Sequence, residues 1–409
     1  MFAQQAIAKK FVENLTEGKL SLAYRCFEKD VQKSLSKSSF EETAQKIGII
    51  KADSTDYVCS TETENVYADF YAFYAAGKKS YIKIVNRGGK IIGFWLPGLV
   101  PCASSYQQPN YSNKYQHKDT FITLPSATGN VEICLTKPQG GVYDKIVLIV
   151  SGSGNSPIDG SFENIKMYKD LAVGLAQNGI ASVRFEKFQR LDKAKINSVT
   201  FDDEYIKDIN LVLEFLTKQN KEVVLLGHSL GGHAVVQFLS DSIAGAVFMA
   251  CNNEPLHHAI VRQMEYLMSL DAPERRELNA QELIKLKKES ERIDSALNTL
   301  PDTAKIFEIP VSYWKSLGSI DLEKLVTQNL SLPMFFMQGS ADYNVQIDDF
   351  QQWMKWLEGA ENVKFMSYAN LEHSFTPYPG NMSTPMHTMY PNNVDAQVIS
   401  DLVGFILGL

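Results

Sequence analysis

The 409-residue sequence has no surplus of positive charge: 40 Lys and Arg stand against 47 Asp and Glu, a formal net charge of −7. Nucleic-acid binders draw most of their affinity from Lys and Arg on phosphates, so this balance argues against a polyanionic partner. The one charge-dense stretch, Lys285 to Arg292, mixes both signs at helical spacing and reads as a solvated helix face. Cysteine is scarce as well. The five (Cys26, Cys59, Cys102, Cys134, Cys251) are widely spread with no Cys-x-x-Cys pair, so free buried thiols are expected rather than a disulfide framework or a zinc site. Two neighbouring histidines, His257 and His258, follow Glu254, but no third ligand lies at a useful spacing and no His-Glu-x-x-His occurs, so neither metal nor organic cofactor is expected. The N-terminus lacks the apolar core of a secretory leader, and no run approaches the roughly 18 apolar residues of a membrane helix. A soluble, cytoplasmic protein is expected, although an exported one already freed of its leader reads the same way.

Hydrophobic residues make up 44% and charged residues 21%, the composition of a globular protein, and the length exceeds one ordinary domain. Three segments are expected. Residues 1–97 read as a small α+β domain: helices at Phe2 to Leu15 and Ser39 to Ile47, then a meander of strands at Tyr57 to Ser60, Val66 to Tyr74, Ser80 to Val85 and Lys90 to Trp95. Residues 98–118, rich in Pro, Ser, Tyr, Asn and Gln without a sustained period, read as a linker. From 119 to 409, continuous apolar strands alternate with amphipathic helices, which predicts a doubly wound, mostly parallel sheet. The alternation lapses into helical sequence at about 252–330, a predicted cap at the sheet edge where ligands bind.

The strongest local signal is Gly227-His228-Ser229-Leu230-Gly231, which follows the apolar run Val223 to Leu226 and opens a helix. A strand, a sharp turn and a helix present a serine hydroxyl outward, and only glycine tolerates the close approach on either side. Serine needs a base to take its proton and a carboxylate to hold that base. In strand-end loops further on, Asp342 and His373 supply them in the order Ser, Asp, His. His228 adjoins the nucleophile on the wrong side of the turn to serve as base, and His233 reads as packed. An oxyanion needs two N–H donors: one from Leu230, the other from the loop after the first central strand, where Ser153 is nominated and Gly154 competes. Tyr313 and Trp314, with Gly154, are nominated to line the substrate pocket.

The blocks Val150 to Asn155, Arg184 to Lys187, Gly227 to Gly232, Pro310 to Trp314, Met337 to Val345 and Leu371 to Phe375 resemble bacterial α/β-hydrolase esterases related to dienelactone hydrolases and the acyl-CoA thioesterase branch. The first hundred residues are similar to a nuclear-transport-factor-like domain of uncharacterised function fused in front of such esterases. The resemblance implies carboxylesterase activity and carries the triad onto Ser229, Asp342 and His373. The chain departs from it at Ser151, Glu186 and Phe188, where the family commonly has His, Asp and Arg. The expected activity is hydrolysis of a small or medium carboxylic ester through an acyl-enzyme on Ser229. The alternatives are thioester, peptide or amide hydrolysis with the same residues, or a non-catalytic ligand-binding protein on the same fold.

Overall fold

The computed structural model describes residues 2–50, 52–63, 66–75, 78–96, 106–112, 116–126, 129–162, 164–187, 197–271, 273–389 and 391–409. The chain divides into two compact units, Met1–Ser105 and Tyr106–Leu409. Residues 98–105 and 113–115 of the expected linker, and Phe188, lie outside the described residues. Among those described, no helix is long and apolar enough to cross a membrane.

In the first unit, helices α1 (Phe2–Thr16), α2 (Leu20–Tyr24), α3 (Lys29–Ser34) and α4 (Lys37–Ile47) precede an antiparallel sheet, β1 (Ser54–Thr63), β2 (Val66–Ala75), β3 (Lys78–Arg87) and β4 (Lys90–Trp95), paired in chain order. Its core is aromatic: Phe11, Phe27, Phe40 and Phe94 meet at 5.3 to 6.2 Å between ring centroids, mostly tilted or edge to face. Helix α4 begins earlier than its apolar spacing indicates. Ser36 caps it by accepting from the Ser39 N–H, which leaves Ser39 inside the first turn. Cys26 is a free buried thiol, as are Cys134 and Cys251 of the second unit. Cys59 is disulfide-bonded, contrary to the expectation of free thiols, because pairing follows spatial proximity that chain spacing does not reveal.

The second unit is built on eight strands: β5 (His117–Leu124), β6 (Val131–Pro138), β7 (Lys145–Val150), β10 (Ala181–Phe185), β11 (Glu222–His228), β12 (Gly245–Met249), β15 (Met334–Gly339) and β16 (Val363–Tyr368), with the short hairpins β8–β9 (Ser161–Phe162, Ile165–Lys166) and β13–β14 (Lys305–Ile306, Ile309–Pro310) outside the sheet. The order β16-β15-β12-β11-β7-β10-β6-β5 is parallel from β16 to β10, and β6 pairs antiparallel with both its neighbours. The continuous apolar runs are explained by burial on both faces. Ile146, Leu148 and Val150 of β7 point into one core and Val147 and Ile149 into the other, and β11 and β15 divide their side chains the same way. The second core is closed by α5 (Met167–Gln177) and α13 (Ala396–Leu407). The first is closed by α6 (Lys207–Thr217), α7 (Gly231–Val235) and α12 (Ile347–Trp356), with a π turn, Asp202–Ile206, leading into α6.

Strand β7 lies between β10 and β11, so the chain leaves it to one side and returns past it to the other. In an open α/β sheet such a reversal marks the edge at which ligands bind, here the carboxyl ends of β7 and β11. Two tyrosines of the linker segment are part of this unit: Tyr106 donates to Asp170 (2.6 Å) and Tyr111 to the Val394 carbonyl (2.9 Å).

The insertion after β12 divides into two parts. Helices α8 (Leu256–Leu270) and α9 (Pro273–Ala296) pack on each other, and α8 reaches the loop after β15, where Arg262 donates to the Tyr343 and Asn344 carbonyls (3.0 and 2.9 Å). Helices α10 (Val311–Gly318) and α11 (Leu322–Thr327) instead turn back into the first core.

Candidate active site

Strand β11 ends at His228, and the next residue, Ser229, adopts φ +54°, an uncommon conformation for a side-chain-bearing residue. The turn is held by the Ser229 N–H on the Met249 carbonyl and the Gly232 N–H on the Ser229 carbonyl, both 2.9 Å. It is possible only with glycine beside it. A Cβ on Gly227 would lie 2.7 Å from Gly232 Cα, and one on Gly231 2.5 Å from the Val150 and Ser151 carbonyl oxygens. The spacing of the motif thus records a backbone collision that only hydrogen avoids.

Asp342 follows β15 and is 1% exposed. Oδ1 accepts from the Asn344 and Val345 N–H groups (2.7 and 3.0 Å), and Oδ2 from Gln338 Nε2 (3.2 Å) and His373 Nδ1 (2.7 Å). His373, after β16, is therefore held through Nδ1, which leaves Nε2 as the basic nitrogen. Burial opposes its charged form, but the charge and hydrogen bond of Asp342 outweigh burial and raise the His373 pKa above the usual imidazole value. Glu372, a second carboxylate next to His373, is buried in its own turn. Its Oε1 accepts from the Ser374 and Thr376 N–H groups and the Thr376 hydroxyl (2.9, 3.1 and 2.8 Å), and burial raises its pKa.

His228 ties these parts together. Its Nε2 donates to the His373 carbonyl (3.0 Å), so Nδ1 accepts from the Tyr168 hydroxyl (3.0 Å), which in turn accepts the Gly152 N–H (3.1 Å). Burial first, then the neighbouring His373, hold the His228 pKa well below the ordinary value, which keeps this proton arrangement single. The nucleophile's neighbour is thereby bonded to the backbone of the candidate base, though 145 residues separate them.

The loop after β7 lies directly beside Ser229: a Cβ on Gly152 would be 3.1 Å from Ser229 Cβ. The Gly152 N–H is already committed to Tyr168, so it is not an available oxyanion donor. The Gly152 carbonyl accepts from Lys187 Nζ (2.6 Å) and the Tyr205 hydroxyl (2.7 Å). A trans peptide points its N–H opposite its carbonyl, so these two donors set the direction of the Ser153 N–H, away from Lys187 and Tyr205. Lys187 is buried and paired with Glu204 (2.6 Å), which also accepts the Tyr313 hydroxyl (2.6 Å). Its ammonium lies 3.7 Å from the centre of the Tyr205 ring. Burial pulls the Lys187 pKa down to about 8 despite the opposing charge of Glu204. Glu204 and Tyr205, adjacent in sequence, both reach this group from the π turn.

This clamp has no motif of its own and is not legible in the sequence. Its one trace is the block Arg184 to Lys187, in which Arg184, 1% exposed, bonds Asp159, Asp119 and Thr136. Of the residues nominated for the site, Leu230 opens the turn into α7 and is buried, whereas Ser153 and Gly154 are exposed, Gly154 at φ +75°. Tyr313 and Trp314 are 4% and 2% exposed, with the indole N–H on the Ile306 carbonyl (3.0 Å). Both are core residues and do not stand open to a ligand as expected, because α10 folds back into the body. His257 and His258 both meet the Asp294 carboxylate, contributed by α9, a partner that chain spacing does not reveal.

A strained serine at a strand-to-helix turn, whose preceding residue is bonded to the backbone of a carboxylate-held histidine, is the arrangement of a serine hydrolase of the α/β-hydrolase fold. The family model described as serine aminopeptidase, S33, matches residues 156–376, more than half of the chain, and the chain belongs to that family. Esterase EstD of Thermotoga maritima is 27% identical over 416 aligned positions, covering 99% of this chain and 95% of its own. Among solved structures, Est1E from Butyrivibrio proteoclasticus is 14% identical with a TM-score of 0.46, covering 70% of this chain and 98% of its own. An esterase of Pyrococcus furiosus is 15% identical with a TM-score of 0.46, covering 74% and 97%.

Proposed function

We propose that this serine hydrolase cleaves small or medium carboxylic esters by acyl transfer through Ser229. The observation that carries the reading is the 2.7 Å bond from His373 Nδ1 to buried Asp342, in a histidine whose carbonyl is bonded to the residue preceding Ser229. His373 Nε2 takes the Ser229 proton as Oγ attacks the carbonyl, and returns it to the departing alcohol. Water repeats the cycle on the acyl-enzyme. The Leu230 and Ser153 N–H groups receive the oxyanion. The esterase relative that aligns along nearly the whole chain supports an ester as substrate. The description of the matched family favours a second reading, hydrolysis of an amino-terminal peptide bond.

The two readings separate with p-nitrophenyl acetate and butyrate against aminoacyl p-nitroanilides. Ester turnover should dominate, and Ser229→Ala should remove it by several orders of magnitude, about 10⁶ in the best-known serine protease case. Near-full activity in that variant overturns the assignment.

A further inference from the structure

We propose that His257, His258 and Asp294 form a binding site for a divalent transition metal that pins α8 to α9. The two histidines open α8, and Asp294 lies near the C-terminal end of α9. His257 Nε2 is 3.0 Å from Oδ1 and His258 Nε2 3.0 Å from Oδ2 of the same carboxylate, and the three ligand atoms fall within 4.8 Å of one another. Adjacent residues on a helix project about 100° apart, so two neighbouring imidazoles converging on one carboxylate is a chelating arrangement. A single His–Asp pair would suffice to join the helices.

The spacing also suits an ion. Zinc–nitrogen and zinc–oxygen bonds of about 2.0–2.2 Å in a tetrahedron set ligand atoms roughly 3.3 Å apart, a few tenths of an ångström from the two histidine–carboxylate separations of 3.0 Å. Two imidazoles and one carboxylate select zinc, cobalt or nickel over calcium or magnesium, which prefer oxygen alone.

His257 is buried, with its ring 6.1 Å from that of Trp314, which fixes the imidazole that faces Asp294. In the metal-free form each imidazole donates its Nε2 proton to Asp294. On binding, each imidazole carries its ring proton on Nδ1 and gives the Nε2 lone pair to the metal. His258 and Asp294 are 43% and 50% exposed, so the ion enters from solvent. None of the three residues belongs to the hydrolytic group, and the site acts on the insertion, not on bond cleavage.

The test uses the full-length protein, stripped with EDTA and titrated with Co²⁺ and Zn²⁺ at pH 7.5. One equivalent should bind, with visible d–d absorption for Co²⁺ and a Tm that rises with Zn²⁺ concentration. His258→Ala and Asp294→Asn, both at exposed positions, should weaken binding by more than about a hundredfold while leaving p-nitrophenyl acetate turnover unchanged. Ser229→Ala should bind metal normally, which separates this site from the hydrolase reading. Absence of stoichiometric binding, or binding unchanged in both ligand variants, overturns the proposal.

Discussion

Replacing Lys187 with methionine tests whether the Ser153 N–H is held in place by a buried charge. The substitution keeps the aliphatic stem and removes the Nζ donor, so the Gly152 carbonyl retains the Tyr205 hydroxyl alone. It also strands the Glu204 carboxylate, 6% exposed, with the Tyr313 hydroxyl but no cation. Breaking a buried ion pair from one side costs about 3–5 kcal/mol, so Tm should fall by about 10 °C, taking about 2–4 °C per kcal/mol. Removing an oxyanion donor outright lowers kcat by about 10² to 10³. Here the donor remains and loses one of two anchors, so a smaller loss in kcat, about tenfold, is expected. KM should change little, because the contact strengthens only in the transition state. The double variant Lys187→Met/Glu204→Gln discriminates, since it removes the stranded charge and should recover most of the stability without recovering kcat. The pH dependence of stability provides a second check. With its pKa lowered from 10.5 to about 8, Lys187 binds fewer protons in the folded than in the unfolded chain between those values. Its contribution to stability therefore rises with pH across that window, a slope Lys187→Met should lack. Thermal melts and p-nitrophenyl acetate kinetics at 25 °C measure both. Recovery of kcat together with Tm in the double variant would refute the positioning argument.

The other predictions concern the acid and the core aromatics. Asp342→Asn should lower turnover by about 10³ to 10⁴, and the acid limb of kcat/KM, which wild type should show above the ordinary imidazole value, should move to lower pH with loss of the carboxylate. Glu372→Gln should act on stability, by about 1–3 kcal/mol from the donors it leaves badly matched, and little on turnover; the reverse ordering would assign the acid to Glu372. Tyr313→Phe removes the hydroxyl from Glu204, so it should destabilise the fold by about 1–3 kcal/mol and scale the rates of acetyl, butyryl and aryl esters alike. A selective change among those esters would instead place Tyr313 in the pocket.

Much of the second unit is legible because its physics is local and periodic. Continuous apolar runs at Lys145 to Val150 and Val223 to Leu226 can be covered on both faces only inside a parallel sheet, and the two cores divide those side chains residue by residue. The insertion misleads for the same reason. The periodicity of α10 marks an apolar face, but not whether substrate or the protein's own core covers it, and Tyr313 and Trp314 are covered by the core.

The sequence alone determines the strand-to-helix turn at Ser229, since glycine at 227 and 231 is the chemical trace of a backbone that admits no Cβ there. It also determines the two-sided burial of the central strands. Only the tertiary structure decides which distant groups meet. Lys187 closes on Gly152, His228 on the His373 carbonyl and Asp294 on two histidines across 35 to 145 residues of chain. Such contacts leave no period behind, because single polar partners are selected by three-dimensional proximity while repeating patterns record a surface.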